Sequence, residues 1–280
     1  MTDLCIMVAP NGARRTKADH PALPISPADL ADTARACHAA GAGAIHLHVR
    51  DNADKHSLDP DRYRAAIAAV EAAAPGMAVQ TTTEAAGVFD LSEQIASVEA
   101  LNPACVSFSI KEMMRDGRDV ADRFLAGAAA RGTAIQFILY DPDEIALFAD
   151  LYRERALHLR DTPRVIVVAG RYAATQNSDL ADYKALHAAL KAEKLTDEAI
   201  WMTCAFGTGE MACLAQTIDH GGHVRVGFEN AIVDASGKPA RDNNQRVAMV
   251  AALARDRGRQ LADGDGARAI LGTNKVTALL

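Results

Sequence analysis

Residues 26–51 read SPADLADTARACHAAGAGAIHLHVRD and contain a helical pattern followed by a strand pattern. Ser26 can cap a helix, Pro27 suits its first turn, and apolar side chains then recur at helical spacing. Gly41 can end this helix, because glycine readily takes the left-handed conformation found at helix C-termini. The short apolar run at residues 44–49 therefore predicts a strand that is buried on both faces.

The same alternation continues along the chain of 280 residues, of which 49% are hydrophobic. The predicted strands are residues 5–9, 44–49, 78–83, 104–108, 134–139, 164–169, 200–205 and 224–228. After the helix that begins at Pro27, the predicted helices are residues 60–74, 91–101, 120–131, 143–157, 179–194, 209–220 and 243–259. Strict alternation of eight strands and eight helices predicts a single-domain (β/α)8 TIM barrel over residues 1–280, with a doubly wound open sheet as the alternative.

Charge and cysteine content exclude several classes of protein. The formal net charge is −6 and the basic residues do not cluster, so we expect neither nucleic acid nor an anionic membrane as a partner. The five cysteines are scattered without a CxxC pair, which predicts buried, reduced thiols and a cytoplasmic location. No apolar run is long enough to span a bilayer, and residues 1–4 lack the features of a signal peptide.

Two histidines stand at the end of the second predicted strand. Side chains alternate along a strand, so His46 and His48 share one face while Leu47 and Val49 occupy the other. In a barrel the apolar face meets the helices, which leaves both imidazoles pointing inward. Paired imidazoles near the carboxyl end of a strand suit a divalent ion such as zinc, and hydrogen-bonded core histidines are the alternative.

The eighth predicted strand carries a third potential ligand. Arg225, Gly227 and Glu229 alternate onto one face, and residues that face a barrel interior form layers drawn from alternate strands. Because the second and eighth strands are both even-numbered, we expect Glu229 to join His46 and His48. Three protein ligands leave an open position, as in catalytic metal sites, and we expect Gly227 to leave room for a bound molecule. A surface carboxylate at Glu229 and a structural ion pair at Arg225 are the alternatives.

Polar residues follow three other predicted strands. Asn11 and Arg14 follow the first strand, Thr82 ends the third, and Ser107 ends the fourth. Together they would surround one face of the barrel with hydroxyls and cations, which suits a small oxygen-rich anion; ordinary polar loops are the alternative. The chain has no GxGxxG or P-loop pattern, so the sequence indicates neither a dinucleotide nor a nucleoside triphosphate.

At this point the sequence resembles the β-keto acid cleavage enzymes, a family founded on 3-keto-5-aminohexanoate cleavage. The resemblance covers nearly the whole chain and rests on residues 11–13 (NGA), 23–27 (LPISP), 37–42 (CHAAGA), 46–51 (HLHVRD) and 221–230 (GGHVRVGFEN). It implies a (β/α)8 barrel in which His46, His48 and Glu229 hold Zn²⁺. The implied reaction converts a β-keto acid and acetyl-CoA into acetoacetate and a new acyl-CoA, and the implied assembly is a homotetramer.

The resemblance also assigns roles to other residues. Thr82 and Ser107 correspond to positions that bind substrate, and Asp143 stands where the family has a glutamate after the fifth strand. We expect Asn11 to bind substrate as well. Arg225, beside the metal, is expected to stabilise negative charge as a carbon–carbon bond breaks.

Three positions depart from the family pattern. Asn230 replaces an aspartate that assists catalysis, and an amide cannot take up a proton at neutral pH. Glu84-Ala85 replaces a Gly-Gly pair. Arg14 replaces a glutamate that matches an aminated substrate, so reversal of charge predicts a second carboxylate, as in β-ketoglutarate or β-ketoadipate. An Arg14 side chain that points to solvent or pairs with an acidic neighbour is the alternative.

Two other functions fit parts of the sequence. The HxH pair also resembles that of the amidohydrolases, but residues 139–141 and 169–171 lack the further histidines that those enzymes need. A diverged barrel that binds a metal or metabolite without turnover is the non-enzymatic alternative. For coenzyme A, the candidate docking residues are Arg15, Lys17, Lys111 and Arg171.

Overall fold

The computed structural model describes residues 2–171, 176–234 and 236–273. Its strands are β1 (Ile6–Val8), β2 (Ala44–Leu47), β3 (Ala78–Thr82), β4 (Cys105–Ser109), β5 (Ala134–Leu139), β6 (Arg164–Ala169), β7 (Ile200–Ala205) and β8 (His223–Val226). Each strand pairs in parallel with the next, and β8 pairs with β1, so that the sheet closes into a barrel. The predicted (β/α)8 TIM barrel is therefore confirmed, whereas the extent of one domain over residues 1–280 stays a prediction.

Helices follow the strands around the barrel. They are α1 (Pro27–Ala39), α2 (Pro60–Ala73), α3 (Leu91–Leu101), α4 (Ile110–Met113), α5 (Arg118–Arg131), α6 (Pro142–Arg153), α7 (Leu180–Ala192), α8 (Leu195–Glu198), α9 (Glu210–Asp219), α10 (Asn243–Asp256) and α11 (Gly264–Leu271). Ser26 caps α1 as predicted, since its side chain accepts a hydrogen bond from the backbone N–H of Asp29. A short hairpin of Val49–Arg50 and His56–Ser57 was not predicted.

The barrel interior is filled, so it is a core and not a channel. Met7, Met202 and Ile166 pack together inside the strands, and Ala267 and Leu271 of α11 belong to the same buried cluster. Helix α11 thus closes the barrel end at which the strands begin, which leaves the opposite end for a site, as is usual in this fold. The five cysteines are buried and free of disulfides. Among the described helices, none combines the length and apolar character needed to cross a membrane.

Candidate metal centre and substrate site

His46, His48 and Glu229 converge at the carboxyl end of the strands. One ligand atom from each residue lies within 4.8 Å of the others. Nε2 of His48 is 3.4 Å from Oε2 of Glu229, and Nε2 of His46 is 3.8 Å from the same oxygen. Two imidazoles and one carboxylate are a donor set typical of catalytic zinc.

Two polar atoms that face this centre lack a hydrogen-bond partner among the described residues. Nε2 of His48 and Oε2 of Glu229 are buried and have no hydrogen-bond partner within the described residues. Buried polar atoms are normally paired, so this pattern fits a site that holds an ion. Nδ1 of His46 lies 2.8 Å from Oε1 of Gln80, which orients the ring and leaves Nε2 for the metal.

The surroundings of His46 and Glu229 shift the pKa of each towards its metal-binding protonation state. Burial, together with the nearby Arg225 guanidinium, lowers the pKa of His46 to about 3. The ring is therefore neutral at ordinary pH, as a metal ligand must be. Burial alone would raise the pKa of Glu229, but Arg225 and the two histidines hold that pKa well below its usual range, and the side chain stays a carboxylate.

Glu229 reaches the centre from a turn and not, as predicted, from the face of a strand. Strand β8 ends at Val226, and the backbone N–H of Asn230 bonds the carbonyl of Gly227 at 2.9 Å. A Cβ at Gly227 would collide with the backbone of Ala9 in the segment after β1. The expectation that Gly227 leaves room for a ligand was therefore wrong, because the missing side chain admits the neighbouring backbone.

Arg225 fixes the orientation of the Glu229 carboxylate. Nη2 of Arg225 donates to Oε1 of Glu229 at 2.9 Å and approaches Sγ of Cys204 at 3.3 Å. The bond uses one carboxylate oxygen and leaves Oε2 for the metal. Because Arg225 is only 4% exposed, this ion pair is screened little by solvent.

The loop after β1 is held by its backbone. Arg50 donates to the carbonyl oxygens of Ala13 at 2.6 Å and Arg15 at 3.1 Å, and also to that of Gly12. Nδ2 of Asn11 donates to the carbonyl of His48 at 3.1 Å. The loop is therefore tied to the same segment that carries the histidines.

Two adjoining cavities open at this end of the barrel. The first, named here the metal cavity, contains His46, His48, Arg225 and Thr82 in its walls. The second, named the Arg14 cavity, is lined by residues 11–15 and Gln176. The two cavities share four wall residues, namely Glu84, Arg171, Phe206 and Glu229.

The predicted substrate-binding residues lie near these cavities. Thr82 lines the metal cavity, and its hydroxyl accepts a hydrogen bond from the backbone N–H of Glu84 at 3.0 Å. Ser107 pairs in register with Thr82 on β4 and is fully buried, and it lines neither cavity. Asn11 and the exposed Arg14 line the Arg14 cavity, and Arg14 makes no ion pair with the described residues.

The two remaining predicted catalytic residues lie outside the cavities. Asp143 is exposed in the first turn of α6 and contributes to neither wall. Asn230 is fully buried, and its side-chain amide has no hydrogen-bond partner in the described part of the chain. Of the four candidate residues for docking coenzyme A, Arg15 and Arg171 line a cavity. Lys111 lines neither cavity, and neither does Lys17, which pairs with Asp29 at 2.9 Å.

Sequence reasoning missed several carboxylates at this end of the barrel. Glu112 lines the metal cavity and accepts a hydrogen bond from Nε2 of Gln94 at 2.7 Å, and burial raises its pKa. Glu144, next to Asp143, is buried and accepts from the backbone N–H of Tyr140 at 2.9 Å; burial raises its pKa as well. Glu84 was noted only as a departure, yet it borders both cavities.

The fold and site define a (β/α)8-barrel enzyme with a candidate metal centre at the carboxyl ends of its strands. The chain belongs to the β-keto acid cleavage enzyme family, whose model matches residues 3–273. The resemblance identified from the sequence is thereby confirmed. Membership of this family does not support the amidohydrolase alternative.

Two named relatives are similar over nearly their full length, and one solved structure is similar over part of its length. The 3-keto-5-aminohexanoate cleavage enzyme of Fusobacterium nucleatum subsp. nucleatum is 28% identical over 98% of this chain and 100% of its own length. The 3-oxoadipate:acetyl-CoA acetyltransferase of Cupriavidus necator is 27% identical, covering 97% of this chain and 96% of that protein. The apo structure of ObcA matches with a TM-score of 0.72 and 17% identity, covering 90% of this chain and 66% of that chain. This chain thus spans slightly less than two thirds of ObcA, and the likeness shows the fold alone.

Proposed function

We propose that this protein is a zinc-dependent enzyme that cleaves a β-keto dicarboxylate with acetyl-CoA. In the reaction, the bond between C2 and C3 of the β-keto acid breaks, and so does the acetyl–sulfur bond of acetyl-CoA. C2 becomes bonded to the acetyl carbon, which gives acetoacetate, and the remaining acyl group becomes bonded to the coenzyme A sulfur. The family to which the chain belongs and the convergence of His46, His48 and Glu229 support this proposal.

Zinc suits the donors that the chain supplies. Neutral imidazole nitrogens and a carboxylate oxygen are its common ligands, and three protein ligands leave a position for substrate. When bound, zinc would supply Lewis-acid polarisation of the substrate's keto and carboxylate oxygens. Nε2 of His48 and Oε2 of Glu229, 3.4 Å apart and without hydrogen bonds to the described residues, are the observation that carries this assignment.

Arg225 and Thr82 are the chain's own groups for binding and stabilising the substrate. Cleavage between C2 and C3 places negative charge on oxygen, and the buried guanidinium of Arg225 lies beside the centre where that charge develops. The Thr82 hydroxyl accepts from the backbone N–H of Glu84, which leaves its proton free to be donated to a substrate oxygen. The positions of Asp143 and Asn230 do not support a proton-transfer role for either.

Arg14 supports a substrate with a second carboxylate. Its guanidinium lines a cavity adjoining the metal cavity and makes no ion pair with the described residues, so it can bind an anionic tail. The relative from C. necator is named for 3-oxoadipate, a β-keto acid with such a tail. The proposed substrates are therefore of the β-ketoglutarate or β-ketoadipate type.

A coupled assay for acyl-CoA formation tests this function. The protein is stripped with a chelator, reloaded with zinc and incubated with acetyl-CoA and β-ketoglutarate, β-ketoadipate or 3-keto-5-aminohexanoate. We expect zinc-dependent formation of acetoacetate and an acyl-CoA, with preference for a dicarboxylate. Zinc binding without turnover would instead indicate a binding protein, and preference for the aminated substrate would contradict the role of Arg14.

Assembly and location follow the same proposal. We propose a cytoplasmic homotetramer, as the family resemblance implies, with acetyl-CoA bound near Arg15 and Arg171 in the wall of the Arg14 cavity. Light scattering coupled to size-exclusion chromatography measures the assembly directly. A mass of one chain in solution would contradict it.

A further inference from the structure

Glu84 and Arg171 form an ion pair across the mouth of the barrel. Glu84 follows β3 and Arg171 follows β6, two strands with β4 and β5 between them. Oε1 of Glu84 lies 2.7 Å from Nη2 of Arg171. The guanidinium carbon of Arg171 lies 5.4 Å from the ring centroid of Phe206, which follows β7. These three side chains therefore connect loops from opposite sides of the opening.

The pair lies between the metal cavity and the Arg14 cavity. Glu84, Arg171 and Phe206 contribute to the walls of both cavities, whereas Thr82 borders only the first and Arg14 only the second. We name these three shared side chains the partition. A substrate tail that extends from the metal to Arg14 must pass along it.

The Glu84 side of the partition is held in place through its backbone. The backbone N–H of Glu84 donates to the Thr82 hydroxyl at 3.0 Å, and the carbonyl of Glu84 lies 2.8 Å from Nε2 of His56 in the hairpin. The side chains of Glu84 and Arg171 are 19% and 13% exposed, so solvent screens their attraction less than at the surface. A wall fixed in this way limits the space available to a tail that passes along it, because the wall is costly to displace.

Pairing also determines which cation is available to substrate. The positive charge of Arg171 is balanced by Glu84, while Arg14 has no ion pair with the described residues. An anionic tail therefore gains more at Arg14 than at Arg171. The sequence resemblance implies Gly-Gly where this chain has Glu84-Ala85, so the carboxylate in the partition is a departure of this chain from the family pattern.

We propose that Glu84 is a specificity-determining residue, which holds Arg171 across the opening and so limits the length of the substrate tail. This inference rests on the proposed function. The inference assigns selectivity for the length of the tail to the size and position of the Glu84–Arg171 pair. Recognition of the charge on the tail is assigned separately to Arg14. Loss of either member should widen the passage between the two cavities.

The test compares variants against straight-chain β-keto dicarboxylates of six and eight carbons. For Glu84→Ala and Arg171→Ala, we expect the ratio of kcat/KM for eight carbons to that for six to rise at least about tenfold, since a pocket discriminates by about this factor for each methylene. Glu84→Gln keeps the size of the side chain but removes its charge, so the ratio should rise less than in Glu84→Ala. Glu154→Gln, which removes a surface pair with Arg118, is the matched control.

A second readout does not depend on turnover. Isothermal titration calorimetry of zinc-loaded protein with adipate and suberate should show suberate gaining affinity relative to adipate in Glu84→Ala and Arg171→Ala. If kcat/KM and binding affinity fell equally for both chain lengths, the inference would be overturned. The Glu84–Arg171 pair would then have only a structural role. If wild-type protein forms no acyl-CoA from any member of the series, the proposed function fails, while the calorimetric comparison still decides whether the partition selects length.

Discussion

Gly12 packs directly against the side chain of the candidate metal ligand Glu229. A Cβ at Gly12 would lie 2.6 Å from Cγ of Glu229 and 3.1 Å from its Cβ. Atoms of an aliphatic side chain cannot approach this closely, so one of the two residues would have to move. Gly12 therefore provides the space in which the carboxylate reaches the two histidines.

Replacing Gly12 with alanine should weaken zinc binding about tenfold or more, as expected when the support of a metal ligand is disturbed. Gly258 is the matched control, because its φ of +67° resembles the +62° of Gly12 and a Cβ there meets nothing within 4 Å. Both variants carry a backbone cost of about 1–2 kcal/mol. Competition with a zinc-binding dye measures affinity, and an equal affinity loss in Gly258→Ala would contradict the steric argument.

Gln80 should act on the metal through His46. Removing the acceptor with Gln80→Leu leaves Nδ1 of His46 without its partner at 2.8 Å, and the zinc affinity should fall about 10–100-fold. Gln80→Glu keeps an acceptor and should retain most of the affinity. If the leucine variant binds zinc as the wild type does, Gln80 does not orient the ligand.

Arg225 should matter more for turnover than for metal retention. With Arg225→Gln, kcat should fall about 10²–10³-fold, the usual cost of losing a group that stabilises developing negative charge. Because Arg225 also orients Glu229, zinc affinity should fall about 10–100-fold, so kcat is measured with zinc at saturation and zinc content is checked by atomic absorption. Arg118→Gln breaks a surface ion pair with Glu154 and serves as the control for loss of an arginine. Normal turnover in Arg225→Gln would exclude the electrostatic role.

Arg14 should set the preferred charge of the substrate tail. Arg14→Glu should lower kcat/KM for dicarboxylates and raise it for 3-keto-5-aminohexanoate, because the charge facing the tail is reversed. Arg123→Glu makes the same change at an exposed site on α5, away from both cavities. Competition between the two substrate types in one reaction measures the preference. Equal effects of the two variants would show that Arg14 acts only through the net charge.

His223 should lower the free energy of unfolding at acid pH. The ring is buried, Nδ1 accepts from the backbone N–H of Cys5 at 3.1 Å, and burial with the nearby Arg259 lowers the pKa of His223 to about 3. The unfolded chain, with a histidine pKa of about 6.5, binds more protons between pH 6.5 and about 3. The free energy of unfolding should therefore decrease as pH falls through this window.

His223→Asn keeps an acceptor for Cys5 without a titrating group. Its unfolding free energy should change less steeply with pH, by up to about 1.4 kcal/mol per pH unit for the one proton removed. Urea unfolding at several pH values, with chelator present to prevent metal release from adding to the slope, gives the comparison. Identical slopes in both proteins would show that His223 does not contribute.

Much of the barrel could be predicted from local sequence. The predicted strands at residues 134–139, 164–169 and 200–205 match the structure, because strands buried on both faces read as continuous apolar runs. His46 and His48 lie side by side, with ring centroids 5.1 Å apart, although β2 ends at Leu47 and His48 follows the strand. The expectation that the two histidines meet Glu229 rested on the layering of alternate strands. The sequence did not predict that Glu229 lies in a turn after the end of β8.

What could not be predicted depends on distant contacts or on a single step along a helix. The turn after β8 packs against Ala9, far away in the chain, and Glu84 and Arg171 are 87 residues apart. Asp143 and Glu144 are adjacent in the first turn of α6, where one step rotates a side chain by about 100°. Only the structure could show that Glu144 is the buried member and Asp143 the exposed one.

Arg50 holds the loop after β1 by bonds to the carbonyl oxygens of Gly12, Ala13 and Arg15. Every amino acid offers such an oxygen, so the shape of this loop is largely independent of which side chain occupies position 14. We therefore expect the proposed substrate recognition at position 14 and metal binding to be separable under mutation, because position 14 can be exchanged while the clearance for Glu229 persists. If Arg14 binds the substrate tail as proposed, a barrel built in this way could acquire new substrates through one-residue changes without rebuilding its candidate metal centre.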